Sequence, residues 1–80
     1  MLQLKRLHNT GTQVLLRQHE DGWRINIDLR EPDHNPMTIT GYMAPSVEWA
    51  KEIADQEVRK YGHVCNGSCN DWIEVLSALP

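Results

Sequence analysis

The chain has 80 residues, a formal net charge of −3 and a hydrophobic share of 40%. A chain of this length forms one small domain that buries roughly 60–65% of the surface exposed on unfolding, so its stability is modest. No apolar run approaches the roughly 18 residues of a membrane span and the first residues lack a signal-peptide centre, so we expect one soluble cytoplasmic domain over residues 1–80, without a membrane partner.

The charge is divided unevenly along the chain. Residues 1–30 hold five cationic and three acidic side chains, a balance of +2, whereas residues 31–80 hold three and eight, a balance of −5. Domains that bind nucleic acid normally present a clustered basic face, and an imbalance this mild does not predict one. The composition therefore disfavours a nucleic-acid partner and indicates a solvated surface, with self-association between the two parts as an alternative.

The first residues predict either an edge strand or a frayed lead-in. Leu2, Leu4 and Leu7 do not decide between the two. The turn-forming residues 9–12 would let residues 1–9 fold back against the strand that follows.

Residues 13–29 predict a β-hairpin. Polar residues alternate with an apolar row in its second half, which is the period of a strand with one solvated face: Trp23, Ile25, Ile27 and Leu29. Asp21-Gly22 is typical of a two-residue hairpin turn. A turn at these two residues pairs Leu16 with Ile27 and Val14 with Leu29, and it places Val14 and Leu16 on the apolar face.

A loop and two more strands are predicted around a helix. Two prolines and several turn-forming residues make 31–36 a loop. Residues 37–43 predict the third strand, with Met37, Ile39 and Met43 on one face and a bulge at Gly41. Residues 72–76, which are short and rich in β-branched and aromatic residues, predict the last strand.

The segment 45–61 predicts an amphipathic α-helix. Apolar residues recur at steps of three and four along one stripe: Val47, Ala50, Ile53, Ala54, Val58 and Tyr61. Ser46 suits the N-cap, and Gly62 suits the left-handed position after the last turn. The predicted fold is therefore α+β, with an antiparallel sheet of four strands (five with the N-terminal one), the order β-β-β-α-β and one helix packed on one face.

The loop after the helix holds a candidate metal site. His63, Cys65 and Cys69 form the pattern His-x-Cys-x3-Cys, and these residue types are the usual ligands of structural zinc. Such a site takes four ligands, and the sequence offers several candidates for the fourth: His8, His19, His34 and Asp71. Zinc is thus the one cofactor that the sequence suggests, and a chain without a cofactor is the alternative.

Two other interpretations of this loop remain open. Cys65 and Cys69 could form a small reversible disulfide, although their spacing exceeds that of redox motifs. Alternatively, both cysteines are small buried hydrophobes beside a histidine that caps the helix. We expect the other histidines (His8, His19 and His34) to be exposed and neutral, and the three tryptophans (Trp23, Trp49 and Trp72) to lie in the core.

The sequence predicts no enzyme. A Cys–His nucleophilic pair lacks a residue to orient the histidine, and no paired-carboxylate, phosphate-loop or His-Glu-x-x-His pattern occurs. We expect a non-catalytic binding domain whose partner is a protein or a second copy of the chain. The alternatives are a zinc-stabilised module using His63, Cys65 and Cys69, and contact with nucleic acid through a basic hairpin face: Lys5, Arg17, Arg24 and Arg30.

Overall fold

Five strands and one helix build the protein, and the computed structural model describes residues 2–65, 67 and 69–76. The elements follow one another as β1 (Leu2–Leu7), β2 (Gln13–His19), β3 (Gly22–Leu29), β4 (Met37–Ala44), α1 (Val47–Lys60) and β5 (Ile73–Leu76). The strands form one antiparallel sheet in the spatial order β4-β3-β2-β1-β5, and α1 packs against β2, β3 and β4. The predicted α+β architecture is confirmed, with five strands.

The N-terminal strand lies inside the sheet. Leu4 of β1 faces Leu16 of β2 on one side and Glu74 of β5 on the other. Residues 2–7 form a strand, which was one of the two alternatives, but the predicted edge position is wrong, because β5 returns from the far end of the chain and pairs with the free edge of β1. Met1 lies outside the described residues.

The β2–β3 hairpin has the predicted faces, but its register differs by two residues. Leu16 lies opposite Ile25 rather than Ile27, and Val14 lies opposite Ile27 rather than Leu29. The turn consists of Glu20 and Asp21, one position earlier than predicted. A displacement of two residues keeps every side chain on its own face, so the apolar row still points to one side.

Gly22 lies directly after the turn, where the chain passes close to another strand. It opens β3 with a φ of +144°, and a Cβ at this position would lie 2.5 Å from the carbonyl oxygen of Ala44 at the end of β4. Glycine is therefore used here for close approach between two strands rather than for the turn itself.

We expect Gly22→Ala to lower the free energy of unfolding by about 2–3 kcal/mol, because the strained φ adds to the contact with rigid backbone. Gly41→Ala is the matched control, since Gly41 has a φ of +94° but nothing within 4 Å of its Cβ position. Strain alone should cost that variant about 1 kcal/mol. Urea unfolding measures the free energy of unfolding of both variants. If both variants lost the same free energy, the close approach at Gly22 would be contradicted.

A β-bulge in β4 inverts the alternation of its last residues. The pairing of β3 with β4 shifts by one residue around Gly41, as predicted for that position. Beyond the shift Met43 lies opposite Arg24, on the face away from the helix, whereas Met37 and Ile39 pack against the core. The prediction that Met43 shares the face of Met37 and Ile39 is wrong, because one extra residue moves every later side chain to the other side.

The helix begins and ends where its caps predict. The Ser46 hydroxyl oxygen accepts from the Trp49 N–H at 3.2 Å, and Gly62 takes a φ of +92° after the last turn. The buried side of α1 joins the inner residues of the sheet in one core: Val14, Leu16, Trp23, Ile25, Ile27, Leu29, Ala44, Ala50, Ala54 and Val58. Within the described residues, no helix has the length and apolar character needed to cross a bilayer.

The tryptophans do not behave alike. Trp23 is buried in the core and Trp72 packs against its edge, as expected. Trp49 is 59% exposed, so its assignment to the core is wrong. Trp49 lies in the first turn of α1 and is not one of the buried residues of the helix, which are Ala50, Ala54 and Val58.

Candidate metal centre

Four side chains from distant parts of the chain meet beside β1 and β5: His8, His63, Cys65 and Cys69. Each offers one ligand atom, and the two nitrogens and two sulfurs all lie within 4.8 Å of one another. His8 directly follows β1, while the other three lie between α1 and β5. The cluster therefore depends on the pairing of β1 with β5.

The turn between β1 and β2 fixes His8. The His8 N–H donates to the Thr12 carbonyl at 2.8 Å, and the His8 carbonyl accepts from the Gly11 N–H at 3.0 Å. One residue earlier, the Leu7 carbonyl accepts from the Asn70 N–H at 3.1 Å, which places the segment of Cys69 beside that of His8. His8 is 3% exposed as a result.

The end of the helix fixes His63. The Val58 carbonyl accepts from the His63 N–H at 3.1 Å, and the Arg59 carbonyl accepts from the Gly62 N–H at 3.0 Å. These bonds satisfy carbonyl groups that a helix end leaves without intrahelical partners. Beyond them the His63 side chain is buried, with its ring centroid 4.3 Å from that of His8.

Each nitrogen lies near both sulfurs. His63 Nε2 is 3.1 Å from Cys65 Sγ and 3.4 Å from Cys69 Sγ. His8 Nδ1 is 3.4 Å from Cys65 Sγ and 3.3 Å from Cys69 Sγ. In a tetrahedral zinc site with Zn–N near 2.05 Å and Zn–S near 2.3 Å, a nitrogen and a sulfur lie about 3.6 Å apart. All four nitrogen–sulfur edges are close to this value, so the group could hold a metal ion after an expansion of a few tenths of an ångström.

A buried carboxylate orients His63. Glu31, which is 4% exposed, places Oε2 3.0 Å from His63 Nδ1. Because a carboxylate can only accept, Nδ1 donates to Glu31, and Nε2 is the ring nitrogen that faces the sulfurs. The hydroxyl groups of Thr10 and Thr12 donate to the same Oε2 at 2.7 and 2.6 Å. A carboxylate held in this way behind a histidine is typical of metal-bound imidazoles.

The electrostatics keep the His8 imidazole free of a second proton. Burial lowers the pKa of His8 to about 4, and the neighbouring His63 and Arg6 act in the same direction. Burial raises the pKa of Glu31, but the hydrogen bonds from Thr12, Thr10 and His63 outweigh it and hold that pKa below its ordinary value. The His8 nitrogen can therefore bind a cation at neutral pH without first losing a proton.

The thiols need the charge of a cation. Cys65 is exposed as a residue, but desolvation of its sulfur, together with the neighbouring Cys69, raises the pKa of its thiol. A bound divalent cation reverses this effect, because it stabilises the thiolate directly. Metal binding at this site would therefore release thiol protons and weaken on acidification.

The structure brings together the three candidate ligands predicted from the sequence and places His8, one of the candidates for the fourth, beside them. The other candidates, His19, His34 and Asp71, are not part of the group. The expectation that His8 is exposed is wrong, since β1 lies inside the sheet and carries His8 into a buried corner. Cys65 and Cys69 are free thiols, and Cys65 is exposed, so the interpretation of both as buried hydrophobes is also wrong.

Sequence reasoning missed the residues behind His63. Glu31 is 32 positions from His63 in sequence, and no local pattern links the two residues. The sequence contains only a weaker indication of this contact. Glu31 follows a buried strand, and Thr10 and Thr12 lie in a turn that can face it. Only the sheet pairing shows that these groups share one corner.

We expect Glu31→Gln to weaken zinc affinity by about 10- to 100-fold, because His63 loses the anion that fixes its tautomer while all four ligands remain. Asp33→Asn is the matched control, since Asp33 is an exposed carboxylate of the same loop. Competition against a chromophoric chelator measures both affinities. An unchanged affinity in Glu31→Gln, or an equal loss in Asp33→Asn, would contradict the positioning role of Glu31.

Comparison with known proteins gives no relative: no family model matches the chain, and no curated protein or solved structure does so either. What the site can bind therefore follows from its own geometry and chemistry.

Proposed function

We propose that this chain is a zinc-stabilised, non-catalytic binding module. The zinc ion would be held by two histidines and two cysteines: His8, His63, Cys65 and Cys69. The observation that supports this most directly is that each imidazole nitrogen lies within 3.4 Å of both sulfurs.

The ligand set favours zinc over harder cations. Thiolate and imidazole are the donors of structural zinc sites with two cysteines and two histidines. Calcium and magnesium take oxygen ligands, and the carboxylate that contacts the cluster, Glu31, is already engaged with His63 and two threonines. Among divalent ions, the combination of soft sulfur and borderline nitrogen in a tetrahedron therefore suits zinc best.

A structural role suits the site better than a catalytic one. Catalytic zinc keeps one position for water or substrate, whereas four protein ligands fill a tetrahedron. The ion would tie the β1–β2 turn to the exit of α1 and to the segment before β5. The helix packs closely against β2, β3 and β4, whereas β1 reaches it through the Arg6–Asp55 ion pair, so a metal would support the side of the sheet that the helix covers least.

A module of this kind acts through its surface. Several large apolar side chains are exposed: Leu7, Tyr42, Met43, Trp49, Val64 and Ile73. The proposed function is therefore binding, and the partner is a protein or a second copy of the chain. Zinc would support this function by stabilising the fold.

The test is the metal content of protein purified without chelators, followed by titration of metal-free protein with zinc and with cobalt. We expect one zinc ion per chain, and a cobalt form with the absorption of tetrahedral thiolate coordination. Protein that carries no zinc and takes up neither ion stoichiometrically would overturn the proposal.

A further inference from the structure

A groove of about 400 Å³ crosses β2, β3 and β4 on the sheet face opposite α1. Its polar lining comes from three strands: Arg17, His19, Arg24, Asn26 and Thr40. None of these residues belongs to the metal centre. The volume lies within the range of small-molecule sites, so the groove is large enough for a compact ligand.

Two arginines face each other across the groove. Arg17 of β2 lies directly opposite Arg24 of β3 in the pairing register, and both side chains are exposed. The described part of the chain contains no acidic side chain within ion-pair distance of either. Like charges directly opposite one another destabilise a sheet, so the pair costs stability unless an anion lies between them.

The rest of the lining adds hydrogen-bonding groups. His19 Nε2 is buried without a hydrogen-bond partner in the described residues, and the His19 side chain lines the groove. Asn26 and Thr40 add an amide and a hydroxyl beside the bulge at Gly41. Bulges redirect side chains and backbone groups, and they recur beside functional sites.

We propose that this groove binds a small phosphorylated ligand, with Arg17 and Arg24 holding the phosphate group between them. Guanidinium groups match phosphate oxygens in a two-pronged geometry, and the anion removes the repulsion between the two arginines. A long polyanion fits less well, because Glu20 and Asp21 form the turn beside His19 and the whole chain carries a charge of −3.

The test is a titration of the zinc-loaded protein, followed by amide NMR shifts, with inorganic phosphate and with glycerol phosphate at constant ionic strength. We expect saturable shifts in β2, β3 and the bulged part of β4. Arg17→Gln with Arg24→Gln should weaken both affinities at least tenfold. Arg59→Gln is the matched control: Arg59 is an exposed arginine of α1, 71% accessible at its side chain, and its loss should leave both affinities within twofold.

Thermal melts in phosphate-free buffer separate binding from folding. Because the arginines repel each other, the double variant should melt at the same temperature as the parent or higher. If that variant does not fold, Arg24→Lys keeps the charge, loses the planar fork and should still weaken phosphate binding severalfold. No saturable shifts, or an equal loss in Arg59→Gln, would overturn the proposal. Binding confined to oligonucleotides, with steep salt dependence, would overturn it too and would assign the face to nucleic acid.

Discussion

His8→Asn is expected to weaken zinc binding by about 100- to 1,000-fold. Structural zinc contributes roughly 10–16 kcal/mol of apparent binding free energy in small domains, and one ligand of four accounts for about a quarter of it. The asparagine can keep the backbone bonds to Thr12 and Gly11 that fix this turn, so the loss should come from the missing nitrogen near the two sulfurs. Competition titrations with a chromophoric chelator measure the change.

His34→Asn is the control for this experiment. His34 was an equal candidate for the fourth ligand from sequence alone, yet it is exposed and packs its ring edge-on to Tyr61, with centroids 5.0 Å apart. The same substitution there should leave zinc affinity within a factor of two. If His34→Asn weakened binding and His8→Asn did not, the assignment of the fourth ligand would be refuted.

Removal of zinc is expected to lower the melting temperature by about 15 °C or more. When free zinc exceeds its dissociation constant 1,000-fold, binding stabilises the folded state by about 4 kcal/mol. For a domain of this size, each kcal/mol moves the melting temperature by roughly 4–8 °C. Circular dichroism melts with and without a strong chelator measure the shift.

The double variant Cys65→Ser with Cys69→Ser controls for effects of the chelator itself. It lacks both sulfur ligands, so its melting temperature should be low and should not respond to chelator. Superimposable melts of the parent protein with and without chelator would show that the cluster contributes nothing to folding as a metal site.

The local parts of the fold follow from the sequence because their signals are local. The three- and four-residue spacing of Ala50, Ala54 and Val58 defines one buried helix face, and Ser46 and Gly62 mark its ends within a turn. The alternation in β3 likewise assigns each side chain to a face. These patterns need no knowledge of distant partners, and the structure confirms both.

Pairing details do not follow from the same patterns. A hairpin shifted by two residues satisfies the alternation equally well, so the pattern does not distinguish the predicted register from the observed one. The bulge at Gly41 was recognisable from the glycine, but its consequence for Met43 required the observed register. A strand pattern therefore predicts faces better than partners.

Only part of the candidate site could be predicted from the sequence, because only some of its residues are close to one another along the chain. His63, Cys65 and Cys69 lie within seven positions, so their spacing alone indicates a ligand cluster. His8 joins them only because β5 pairs with β1, and Glu31 reaches His63 only because β3 ends beside the β1–β2 turn. Both contacts depend on the tertiary fold, which spacing along the chain does not encode.

X-ray absorption at the zinc edge of the loaded protein tests the central claim most directly, because it reports the number and type of atoms bound to the ion. We predict two sulfur atoms at about 2.3 Å and two nitrogen atoms at about 2.0–2.1 Å, with no fifth ligand. A shell of oxygen and nitrogen without sulfur, or one that includes bound water, would contradict a closed site made of His8, His63, Cys65 and Cys69.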